Sequence, residues 1–148
     1  MAYSSQMNGL IERDPKENDG AMASKKNASE SQFVDVAEPE EVETLFNRSR
    51  EEPVLLFKHD PWCIVSAMAH RELKRLGGDI PTINVADSRA LSLGLADRTG
   101  IRHESPQVMV LSGGDVAWSA SHGAITRDAV QEALAAARPG TPATADGS

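Results

Sequence analysis

Apolar residues in this chain fall into short blocks whose spacing changes from one block to the next. Phe33, Val34 and Val36 form a brief apolar run. Val42, Leu45 and Phe46 then recur at helical spacing behind Pro39, a residue suited to the first position of a helix because its missing N–H costs nothing there. Pro53 to Lys58, PVLLFK, is continuous and apolar with its only proline at the start, the pattern of a parallel strand buried on both faces at the centre of a sheet. After Cys63, the positions Val65, Met68, Ala69, Leu73 and Leu76 return every three or four residues and predict a helix that Gly77 and Gly78 bring to an end.

The pattern continues in the same alternation. Ile80 to Val85 predicts a strand opening around Pro81, and Asp87 or Ser88 caps a helix carrying Leu91 and Leu95 that Gly100 terminates. QVMVL and DVAWSA flank SGG, whose paired glycines suit the positive φ angles of a tight turn, so this pair is expected to be antiparallel. Thr126 caps a last helix with Val130, Ala133, Leu134 and Ala137 on one face. The order β-α-β-α-β-α-β-β-α, with right-handed parallel crossovers, specifies an α/β architecture: a mixed central sheet with helices on both faces. A thioredoxin-like fold is the natural candidate.

The periodic region is bounded by two stretches without period. Residues 1–30 are rich in Ser, Asn, Gly, Lys, Asp and Glu, and residues 139–148 carry Pro, Gly and Thr; both read as disordered tails around one domain at 31–138. A chain of 148 residues that is 40 % hydrophobic supports one modest core. Its net charge of −7 argues against nucleic acid or a membrane surface as partner. No apolar run reaches the roughly 18 residues of a membrane span, and the N-terminus lacks the apolar core of a signal peptide, so a cytoplasmic location is expected.

The single cysteine changes the picture most. It rules out an intrachain disulfide and a multi-cysteine zinc site, and leaves a buried thiol, a reactive thiol or an intermolecular bridge. Cys63 stands between the predicted central strand and the next helix, where unpaired N–H groups and the positive helix end favour a negative sulfur, the attacking species. Ser66 holds the place of the second cysteine in a C-x-x-C pair; one helical turn on, its hydroxyl either donates to the sulfur or caps the first turn. Lys58 and His59 precede the cysteine, and either can lend positive charge or bind an anionic thiol; Lys58 reads more as a functional residue and His59 more as a strand end. Trp62 either shields the sulfur or packs on the sheet. Pro106, in HESPQ, either opens a strand in the trans form or, in the cis form, leaves the Ser105 backbone free to face a ligand. His70, His103, Glu104 and His122 follow no metal-ligand spacing, so no metal is expected.

From about Phe33 to Leu134 the sequence resembles the YtxJ family of monothiol bacilliredoxins, through KH-x-x-x-C-x-x-S at Lys58, His59, Cys63 and Ser66, then ADRTGIRHESPQ, then VAWSASHGAIT. The resemblance implies a thioredoxin fold, Cys63 as the redox-active cysteine and Pro106 as the cis-proline facing it. It implies no tightly bound cofactor, and names bacillithiol as thiol co-substrate and S-thiolated proteins as partners. Since bacillithiol carries malate carboxylates, Lys58 and Arg102 are the expected anion contacts, with Trp62 and Ser105 beside the bound thiol. Where the family usually has proline directly after the cysteine, this chain has Ile64. The expected activity is a monothiol thiol-disulfide oxidoreductase of C-x-x-S type. Two other readings remain: a redox-inactive adaptor holding an extended peptide near Pro106, and a thiol-dependent oxyanion reductase, for which the chain lacks an anion-binding loop of small residues.

Overall fold

The computed structural model describes residues 30–139. The tails expected at 1–30 and 139–148 lie outside that range, apart from Glu30 and Pro139. Among the described residues five strands form one sheet: β1 (Gln32–Asp35), β2 (Val54–His59), β3 (Asp79–Asn84), β4 (Gln107–Ser112) and β5 (Asp115–Ser121). Their spatial order is β1-β3-β2-β4-β5. β2 is therefore central, parallel to β3 and antiparallel to β4. The helices are α1 (Pro39–Arg48), α2 (Ile64–Lys74), α3 (Arg89–Thr99) and α4 (Arg127–Ala136), with a short 3-10 turn at His122–Ala124 between β5 and α4.

Each face of the sheet carries its own core. On one, Leu56, Ile83 and Met109 pack with Val42, Leu45 and Phe46 of α1 and Leu95 of α3. On the other, Phe57, Ile80 and Val108 pack with Ala69 and Leu73 of α2 and Val130 of α4. Side chains of a strand alternate between faces. At the end of β2 this alternation sends Lys58 to the α1–α3 side and His59 to the α2–α4 side.

The ends of the elements follow local chemistry. Pro39 opens α1, and the Glu41 carboxylate accepts from the backbone N–H groups of Ala37 and Glu38, which holds its carboxyl below the usual range. Gly100 closes α3 in the left-handed conformation, and Thr126 caps α4 by accepting from Ala129 N. The β4–β5 turn has Gly113 and Gly114 both at positive φ. Ser49, just after α1, clamps this hairpin: its carbonyl accepts from Gly113 N and its hydroxyl from Gly114 N.

One face is rotated from the sequence expectation. On α2 the buried stripe is Ser66, Ala69 and Leu73, with Val65 and Met68 exposed. The polar Ser66 turns inward because partners on the β2–α2 loop satisfy its hydroxyl.

Candidate active site

The site begins where β2 hands over to α2. Asp60 accepts from Cys63 N through its carbonyl (3.1 Å) and from Trp62 N through its carboxylate (3.0 Å), closing a tight turn over Pro61. This turn delivers Cys63 to the N-cap of α2, with extended backbone at φ −110° and ψ 128°. An acceptor at an N-cap meets the N–H groups of the second and third helical residues, here Val65 and Ser66. The Cys63 thiol makes no such bond in its resting position; it is half-buried and free of any disulfide.

Ser66 is turned elsewhere than toward the sulfur. Fully buried, its hydroxyl accepts from Asp60 N (2.9 Å) and meets Nδ1 of His59 at 2.8 Å. The Asp60 N–H lies within the turn and needs an acceptor, and Ser66 supplies it. The hydroxyl therefore pins the turn that presents Cys63. His59 continues a ring cluster, stacked on Phe57 at 5.2 Å and 5.1 Å from His70, which in turn stacks on Phe33 at 3.9 Å. Burial first, then the His70 ring, pushes His59 below the usual histidine range, with Asp60 opposing; burial and Lys74 do the same to His70.

The second half of the site comes from the strand beside β2. Ser105–Pro106 is a cis peptide, and Pro106 is buried immediately before β4. Gln107 pairs with Lys58 in register, so the Ser105–Pro106 segment and the β2–α2 junction share one end of the sheet. Pro106 O accepts from His122 N (3.0 Å), the Glu104 carboxylate lies 3.4 Å from His122 Nδ1, and the 3-10 turn packs against α2.

Lys58 departs from expectation. It is fully buried, not a surface contact for an anion, and its Nζ donates to Gln107 Oε1 at 2.8 Å. Gln107 Nε2 donates in turn to the carbonyl of Arg102 (2.9 Å), so the lysine anchors the loop leading to Pro106. Desolvation lowers Lys58 to about 8, with Glu104 pulling the other way. Burial, then Lys58 and Arg89, keep His103 below the usual histidine range against Glu104. Arg102 is exposed and Ser105 half-buried.

Trp62 does not pack on the sheet: it is 86 % exposed, and Ile64 is 78 % exposed beside it. Val65 and Met68 are exposed as well, so the large apolar side chains that flank Cys63 in sequence face solvent.

Sequence reading weighed His59 more as a strand end, and missed His70 and Gln107 as neighbours of the site. One signal was available, since Ser66 and His70 are four apart on a helix and share a face. Among the described residues no group of three or more His, Cys, Asp or Glu is placed to hold a metal, and no helix is long and apolar enough to cross a membrane.

Solved structures share this fold. A thioredoxin-fold protein proposed to be an oxidoreductase aligns at 25 % identity and a TM-score of 0.64, covering 68 % of this chain and 92 % of that one. A mutant thioredoxin from Halobacterium salinarum NRC-1 aligns at 18 % identity and a TM-score of 0.55, covering 78 % and 97 %. Oxidized thioredoxin O2 from Arabidopsis thaliana aligns at 16 % and 0.56, covering 72 % and 95 %. The latter two are similar in fold alone. Residues 34–130 match the family described as monothiol bacilliredoxin BrxC, well over half of the 148 residues, and the chain belongs to the monothiol bacilliredoxin family.

Proposed function

We propose that the protein is a monothiol thiol-disulfide oxidoreductase that takes a low-molecular-weight thiol, bacillithiol, off protein mixed disulfides through Cys63. The observation that carries this reading is the placement of the only cysteine at the N-cap of α2, half-exposed, at the same end of the sheet as Ser105–Pro106. The N-cap lies at the positive end of a helix, a setting that favours the thiolate as attacking species. In the first step the Cys63 thiolate attacks the bacillithiol sulfur of the mixed disulfide. A bond forms from Cys63 to that sulfur, the original S–S bond breaks, and the protein sulfur leaves as a thiolate and takes up a proton. In the second step the thiolate of another bacillithiol attacks the carried sulfur, releasing oxidised bacillithiol and returning the Cys63 thiolate. Electrons thus come from the free small thiol, and no second cysteine in the chain is needed.

Six residues serve this chemistry in distinct ways. Ser66 holds the turn that presents the sulfur, and Ser105 offers its backbone to the bound disulfide ahead of Pro106. Exposed Arg102 contacts the malate carboxylates, and buried Lys58 adds positive charge from beneath the loop without touching the ligand. Trp62 and Ile64 lie against the protein that carried the thiol. A cytoplasmic setting, with reduced thiols, suits the single free cysteine.

The test is intact mass spectrometry of reduced protein after exposure to a bacillithiolated protein, with Cys63→Ser alongside. Wild type is expected to gain the mass of one bacillithiol while the substrate thiol is released, and Cys63→Ser to gain nothing. An unmodified Cys63 with no thiol released sinks the proposal and favours the redox-inactive adaptor. Glutathionylated protein in the same assay reports thiol preference, for which Ile64 is the residue to vary because the family usually has proline there.

A further inference from the structure

Helical spacing decides which side chains of α2 share a line. At about 100° per residue, the buried Ser66, Ala69 and Leu73 define one side of the helix, and Ile64, Met68, Arg71 and Arg75 run along the opposite one. All four of the latter are exposed. The line begins one residue after the half-buried Cys63. It is apolar in its first half and cationic in its second, where Lys74 lies beside the arginines.

Neither half is ordinary for a solvated helix face. Of the six large apolar side chains exposed among the described residues, four fall between Trp62 and Met68. Exposed apolar residues scattered singly mean little, whereas a contiguous run marks a surface that meets a partner. The negative end of the helix accounts for cations in its last turn, but not for apolar residues leading to them along the same line. Arg71 and Lys74 have no ion-pair partner among the described residues, and Arg75 meets Glu72 only at a loose 3.9 Å. These cations stand on a chain whose net charge is −7, and α1, on the other face of the sheet, carries Glu40, Glu41 and Glu43 in its first half. The surface beside Cys63 is thus the opposite in charge to the chain as a whole.

We propose that the outer line of α2 is the docking track for the S-thiolated protein, taking an apolar side chain on Ile64 and Met68 next to the reacting sulfur and acidic side chains on Arg71 and Arg75 farther along. A rise of 1.5 Å per residue puts the two arginines about 12 and 18 Å along the helix from Cys63. An extended segment at about 3.3 Å per residue spans that distance in about four to six residues. The partner therefore carries its acidic residues about four to six positions from its thiolated cysteine. The inference rests on the proposed function for the identity of that partner.

The experiment uses synthetic peptides with one cysteine, held as the mixed disulfide with pyridine-2-thiol, a leucine beside it, and either glutamates or lysines at those positions on both sides. The Cys63 sulfur bonds to the peptide sulfur, the S–S bond to the pyridine breaks, and pyridine-2-thione leaves and is read by its absorbance. Rates are taken relative to that with neutral 2,2′-dithiodipyridine, which reports the sulfur itself. Wild type is expected to favour the glutamate peptide by about fivefold or more at low salt, the worth of two exposed ion pairs, and to lose the preference at about 1 M salt. Arg71→Glu combined with Arg75→Glu is expected to reverse the preference, and Met68→Ser to slow both peptides alike. Equal rates for the two peptides in wild type, or a preference that survives the double charge reversal, overturn the track. So does binding to phosphatidylserine vesicles, or a dimer in sedimentation that Met68→Glu dissolves, since either assigns the face to another occupant. Amide NMR shifts along α2 on adding the glutamate peptide to Cys63→Ser report docking without the sulfur, so the track and the proposed thiol chemistry can fail separately.

Discussion

Lys58 is a cation placed where water cannot reach it, with a neutral amide oxygen as its hydrogen-bond partner. Desolvation brings it to about 8 in the folded protein, against an ordinary 10.5. A lowered folded value means that between those two pH values the unfolded chain holds the proton and the folded chain does not. Stability therefore rises with pH through that window, and the cost of the buried charge is felt in full below it. Urea unfolding at pH 7 and pH 10 is expected to show wild type gaining on the order of 2 kcal/mol relative to Lys58→Met, in which nothing titrates at that position. Equal pH dependence of the two proteins would show that the lysine is not desolvated. The sequence hid this role because the partner, Gln107, is 49 residues away and the run PVLLFK gives no hint that its lysine turns inward.

The order and type of the elements were legible, because each rests on local chemistry: Pro39 at a helix start, Gly100 at a helix end, Gly113 and Gly114 in a turn. The orientation of α2 was not. Its apolar spacing admits a face through Val65 and Met68, but the buried one runs through Ser66 and Leu73, because the β2–α2 loop satisfies a serine that local sequence marks as polar. The cis state of Ser105–Pro106 was likewise open from the residues alone and was implied only by the resemblance. Gly114 sits at φ +86°, and a Cβ there would lie 2.7 Å from the Arg50 guanidinium. Gly114→Ala is expected to cost about 1–2 kcal/mol, mostly from backbone conformation because the arginine end can move. Calorimetry should show a Tm lower by roughly 4–8 °C for each kcal/mol. Alkylation of Cys63 should be unchanged, since the hairpin lies at the other end of β4. An unaltered Tm would mean that the turn relaxes to accept a side chain.

For the whole molecule, three of its four histidines, His59, His70 and His103, are held below their ordinary range, each first by burial. A depressed histidine is protonated more readily in the unfolded chain, so folding stability falls as pH drops below about 6.5 through the folded values. Unfolding followed from pH 7 to pH 5 should therefore show a steeper loss for wild type than for His59→Phe; identical slopes would assign the acid sensitivity to other groups. The site is thus built into both cores, with Lys58 reaching into one face of the sheet and His59 into the other. The two tryptophans divide along a different line. Trp118 of β5 packs against the α2–α4 core, and Trp62 stands in water next to the sulfur. The intrinsic fluorescence of the chain is consequently expected to carry two separable signals: a red-shifted, readily quenched indole that reads the surroundings of Cys63, and a more shielded one that reads whether the sheet is intact.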